Sequence, residues 1–132
     1  MYEYHGWAMI RDTVGEESEG EQLDQIYQLL EERVKSYNWV LGLMDLRWVN
    51  LYPHLSVAGL NNHYTNYADE VFEIFNYIAE IAPGSYGILY TIDSDYENKF
   101  RVYVLSRGKL KEHDDPFLSP FVPVVEDPPG GL

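Results

Sequence analysis

At 132 residues, 45 % of them hydrophobic, the chain has the size and apolar content of one domain with a real core. A formal charge of −13, from 22 acids against 9 Lys and Arg, argues against a nucleic-acid partner and favours a basic one. The chain has no Cys, which excludes disulfides, thiol nucleophiles and cysteine-ligated metal.

Residues 2–11 alternate as a strand, with Tyr2, Tyr4, Ala8 and Ile10 on one face and His5, Trp7 and Met9 on the other. Residues 12–20 read as a polar loop, and Ser18-Glu19-Gly20-Glu21 has the spacing of a capping box. The helix that follows carries Leu23, Ile26, Tyr27, Leu30, Val34 and Tyr37 as one stripe. Residues 39–45 and 51–58 read as two strands joined by a turn near 47–50, the second weakened by Pro53. Residues 59–63 read as a turn. A second helix then buries Tyr67, Ala68, Val71, Phe72, Phe75, Ile78, Ala79 and Ala82, and stops at Pro83-Gly84. Residues 86–92 and 100–105 are strands joined by the polar turn 93–99. After Arg107-Gly108-Lys109 prolines punctuate the chain at 116, 120, 123, 128 and 129. Phe117, Leu118 and Phe121 argue that residues 114–124 pack on the body, leaving 126–132 as a flexible tail beyond a single domain of 1–125.

This order, β-α-β-β-α-β-β, predicts an α+β fold: one mostly antiparallel sheet of four to five strands with both helices on one face, a ferredoxin-like variant. The start of the chain has no charged region or apolar core of a signal peptide, and no apolar run reaches membrane-spanning length. A cytoplasmic protein without a membrane partner is the expectation.

Charge is distributed unevenly. No Lys or Arg occurs between Arg47 and Lys99, an interval holding Asp69, Glu70, Glu73, Glu80, Asp93, Asp95 and Glu97. With Glu16, Glu17, Glu19 and Glu21 upstream, these acids suit the steering of a basic partner. The first loop's acids lack the alternating ligands and glycine of a calcium loop, and read as a solvated face.

Catalytic signatures are weak. His5, His54, His63 and His113 show no i, i+4 metal pair and no zincin spacing. Gly84-Ser85-Tyr86-Gly87 falls one residue short of a nucleophile elbow, and there is neither a Walker A loop nor a dinucleotide fingerprint. No catalytic residue, metal site or cofactor is expected. Alternation sets His5, Trp7, Met9, Tyr52, His54, Leu89, Arg101, Tyr103 and Leu105 on the face away from the helices. That set is rich in hot-spot residue types, so Trp7, Tyr52, His54, Arg101 and Tyr103, with Asp69, Glu70 and Glu73, are the candidate partner-binding residues. Such a face must be covered by Phe117, Leu118 and Phe121, by a second copy in a homodimer, or by a partner.

Five ordered segments carry a family resemblance: His5-Gly6-Trp7; Gly59-Leu60 with Asn62-His63; Ala82-Pro83-Gly84-Ser85-Tyr86-Gly87-Ile88-Leu89-Tyr90; Phe100-Arg101-Val102-Tyr103-Val104-Leu105 with Arg107-Gly108-Lys109; and Asp115-Pro116-Phe117-Leu118-Ser119-Pro120. Together they resemble the immunity protein 7 family of bacterial polymorphic toxin systems. The resemblance implies a small cytoplasmic, non-enzymatic protein that binds and neutralises a cognate toxin domain by stoichiometric inhibition. Residues 44–52 match nothing in that pattern and are a candidate for partner specificity. Two alternatives from other classes stand beside it: a small enzyme or metal-dependent hydrolase using His5 and His54, and a scaffold module that dimerises through its sheet.

Overall fold

A computed structural model describes residues 1–13, 22–37 and 42–118, the Tyr67 side chain apart. The expectations for the 18–21 capping box, for Glu16, Glu17, Glu19, Trp39 and Phe121, and for the tail fall outside the described residues. In chain order the elements are β1 (Tyr2–Met9), α1 (Leu23–Ser36), β2 (Leu43–Val49), β3 (Tyr52–Asn61), α2 (Asn66–Ile81), β4 (Tyr86–Asp93), β5 (Arg101–Ser106) and β6 (Lys109–Asp114). They form one six-stranded sheet in the order β2-β3-β1-β4-β5-β6, with every neighbouring pair antiparallel.

Amphipathic spacing explains both helices. Leu23, Ile26 and Leu30 of α1 are buried, with Val34 and Tyr37 packed beside them. From α2, Ala68, Val71, Ile74, Phe75, Ile78 and Ala79 enter the same core, and the chain leaves the helix at Ala82, just before Pro83. Both helices lie on the sheet face that carries Tyr2, Tyr4, Ala8 and Ile10, as the alternation of β1 predicts. Tyr4, Phe75, Ile10, Leu30 and Leu55 are among the largest fully buried side chains.

Three expectations need correction. The sheet has six strands, not four or five, because Lys109–Asp114 pairs with β5. Leu110 is the only apolar residue of β6, so backbone bonds to β5 hold it rather than any hydrophobic pattern. The β2–β3 turn is Asn50-Leu51, later than expected, closed by the Val49↔Tyr52 pair. Asn50 has φ 59°, and Asn tolerates this left-handed region better than most residues, as a two-residue hairpin turn requires. Gly59-Leu60-Asn61 is not a turn but the end of β3, where Asn61 pairs with Tyr2. Pro53 lies at the hairpin end of that strand and still accepts a bond from the Ile10 N–H at 3.0 Å.

Polar latches close the sheet's ends. The Ser85 hydroxyl accepts from the Arg11 N–H at 3.0 Å, tying the end of β1 to the start of β4. Buried Asp12 accepts from the Thr13 N–H at 3.1 Å and from the Gln22 N–H at 3.5 Å, joining both ends of the first connection.

Burial holds the phenols of Tyr2, Tyr4, Tyr37 and Tyr64 above their ordinary value of 10.0, with Tyr4 and Tyr64 raised to about 12. A raised folded pKa stabilises the fold fully below the unfolded value, and that contribution is lost as pH rises through the folded one. The urea midpoint should therefore stay level to roughly pH 9 and fall between about 10 and 12. The tyrosinate absorbance of these four phenols should rise late and together with unfolding. A folded protein whose tyrosines all titrate near pH 10 would contradict this.

Candidate interaction face

Pairing in β3, β1 and β4 fixes what the face opposite the helices presents. Trp7 stands at its middle, opposite Ser56 of β3 and Ile88 of β4. Ser56 is too small to cover the indole, which stays 40 % exposed. The neighbours one step along the strands supply the aromatic contacts. His54 stacks on Trp7 with centroids 6.1 Å apart and planes at 10°, and Tyr86 meets it edge-on at 6.1 Å and 87°. Beyond them the Arg11 guanidinium lies 5.2 Å above the Tyr52 ring. Four rings from three adjacent strands thus form one partly exposed surface. Among the described residues His54 Nδ1 is buried with no hydrogen-bond partner.

Trp7, Tyr52 and His54 are brought together as expected, while Leu89, Arg101, Tyr103 and Leu105 are not. Leu89 stands opposite Gly6, Tyr103 opposite Leu89 and Leu105 opposite Gly87, so all belong to the helix side. There Tyr103 meets Phe72 of α2 edge-on at 4.9 Å, and Arg101 ion-pairs with Glu97 and Glu112. Those two carboxylates raise the Arg101 pKa, so its charge is committed within the fold. The reason is physical: Ile88, Tyr90, Val102 and Val104 are also apolar, so alternation in β4 and β5 does not reveal the phase. Sequence reading missed Tyr86 and Ile88 on the open face. Their signal was the other phase of 86–92, legible only once the register is known.

The candidate acids lie on the helix layer, across the sheet from the rings. Glu73 accepts from Arg33 Nη1 at 2.9 Å and from the Tyr37 hydroxyl at 3.0 Å, tying α1 to α2. Arg33 also lies 3.9 Å above the Tyr77 ring. Asp69 accepts from the Tyr64 hydroxyl. Glu32 and Glu80 are exposed on the same layer.

His5 and His54 share the open face but do not meet. His5 pairs with Ala58 and His54 with Met9, and Trp7 and Ser56 stand between them. Four residues of strand separate the two positions, about 13 Å. His5 Nε2 instead bonds Glu3 at 2.6 Å. His63 Nδ1 bonds Asp95 at 2.8 Å, and the Met1 amino group bonds the other oxygen of that carboxylate at 3.2 Å. These contacts lower the Asp95 pKa, His63 contributing most. Among the described residues no three His, Asp or Glu converge in a way that would hold a metal ion.

The β2 edge completes the surface. Along β2, Leu43 and Val49 are exposed beside the Arg47–Asp45 pair at 2.7 Å, and Trp48 turns to the helix side against Tyr27 at 5.3 Å. No helix of the described residues is long and apolar enough to cross a membrane. A family model described as immunity protein 7 matches residues 1–127, while no curated protein and no solved structure matches the chain.

Proposed function

Because this chain belongs to the immunity protein 7 family, we propose that it neutralises a cognate bacterial toxin in the cytoplasm by stoichiometric binding, without turnover. The match over residues 1–127 carries this reading. Two features of the surface support it. The Trp7–His54–Tyr86 cluster offers rigid aromatic anchors of the kind that dominate protein interfaces. The helix layer and the net charge of −13 supply a field that draws in a toxin with a basic surface. In this division of labour the rings of the open face hold the complex, and the acids hasten its formation.

The test is co-expression of the toxin domain encoded beside this chain, with and without the protein. Cells should survive only when both are made. Equal killing in the two cases would end the reading. Trp7→Ala should keep the fold, since the indole is a surface group, yet weaken protection. Persistence of full protection in that variant would move the contact surface away from the open face.

A further inference from the structure

The protein holds 9 Lys and Arg against 22 acids, so a base without a carboxylate partner is unusual here. Arg33, Lys35, Arg47, Lys99 and Arg101 each have one. Arg107, Lys109 and Lys111 do not form an ion pair among the described residues, and all three lie on the β5–β6 hairpin. They line one open depression together with Val104, Ser106 and His113. The register explains the convergence. Lys111 stands opposite Val104 and Lys109 opposite Ser106, so the alternate residues 109, 111 and 113 of β6 all rise from the open face. Leu110, on the other side, packs against the core. The hairpin turn, Arg107 at φ 52° and Gly108 at φ 74°, is a two-residue turn of the kind that keeps strands in strict register.

Among the described residues β6 is also the last strand of the sheet, with only β5 beside it. Its outer edge presents backbone donors and acceptors to a further strand, and Lys109 and Lys111 present positive charge on one face. We propose that this edge receives an extended acidic segment of a partner polypeptide, which adds a seventh strand and sets carboxylates opposite Lys109, Lys111 and His113. Both contributions are needed. Backbone pairing alone gives no selectivity, and exposed lysines alone give little affinity. Lys on an edge strand usually discourages pairing between like strands. The same charges favour a strand that carries acids at the facing positions, because opposite charges directly across a pair attract. An oligonucleotide is the weaker occupant. It cannot use the strand's backbone groups, and its long run of phosphates meets the field of the whole acidic molecule. A short acidic segment meets mainly the local bases. This inference stands apart from the toxin reading, since it concerns the chemistry of one edge and needs no toxin for its test.

The experiment uses the whole protein with two labelled, end-blocked heptapeptides, one alternating Glu with Val and the other alternating Lys with Val, followed by fluorescence anisotropy. Amide exchange in β6 is recorded alongside. The Glu peptide should bind at least about tenfold more tightly than the Lys peptide and should slow exchange along Lys109–Asp114. Lys109→Glu with Lys111→Glu should remove that preference. Lys109→Ala with Lys111→Ala, which adds no repulsion, should reduce it while the circular dichroism stays unchanged. Equal binding of the two peptides, binding without protection of the β6 amides, or tighter binding of a single-stranded oligonucleotide through the same lysines would each overturn the proposal.

Discussion

Gly59→Ala will destabilise the protein by about 1–3 kcal/mol, the range for a methyl forced into a filled site. Gly59 lies on the helix side of β3, directly opposite Tyr4 of β1. The Tyr4 ring folds across it, so a Cβ at 59 would overlap the ring and its hydroxyl. Tyr4 is 1 % exposed and cannot swing outward without dragging the core with it. The measurement is a urea midpoint in a double-mutant cycle with Tyr4→Leu, which shortens the side chain and withdraws the far end of the ring. In the Tyr4→Leu background Gly59→Ala should cost little, about 0.5 kcal/mol or less. The same cost in both backgrounds would show that the ring is not the cause.

A second large effect is expected on association rate. Glu32→Lys with Glu80→Lys changes the net charge from −13 to −9, by two units at each site. These positions are chosen because they are exposed and form no ion pair among the described residues. Reversing Asp69 or Glu73 would instead break bonds to Tyr64, or to Arg33 and Tyr37, and confuse binding with folding. The rate of association with the toxin should fall roughly tenfold at low salt, with dissociation nearly unchanged. Near physiological ionic strength, where the Debye length is about 8 Å, most of the difference should vanish. An association rate indifferent to both the substitutions and the salt would mean that the acids serve solubility alone.

How much the sequence reveals differs from element to element. Tyr2–Met9 was legible because its two phases differ sharply, buried Tyr2, Tyr4 and Ala8 against partly exposed His5, Trp7 and Met9. Both helices were legible for the same reason. In β4 and β5 both phases are apolar, so Arg101 and Tyr103 were placed on the wrong side of the sheet. In β6 neither phase is apolar enough to mark a strand, because an edge strand over a helix buries little more than Leu110. The candidate site was readable as a set of residue types, with Trp7, Tyr52 and His54 correctly grouped. Its boundary was not, since Tyr86 and Ile88 join it only through the β1–β4 register. Gly6, Gly59, Gly84 and Gly87 of the family segments turn out to be spacers. Gly6 leaves room for Leu89, whose Cδ1 would lie 2.9 Å from a Cβ, and a Cβ on Gly87 would strike the Trp7 carbonyl. Those segments mark the fold more than the contact surface.

The position of β1 has a consequence for the order of assembly. It is the first strand of the chain, yet it lies inside the sheet between β3 and β4. The β2–β3 and β5–β6 hairpins close across two residues each, so their search is short. Joining β1 to β4 brings Met9 to Tyr86, positions 77 apart in the chain. Nearly all the cost of chain closure therefore falls on one strand, and the two halves of the sheet have no shared edge until it enters. During synthesis that strand leaves the ribosome before both of its neighbours, and it cannot be paired on both sides until the chain has grown past residue 93.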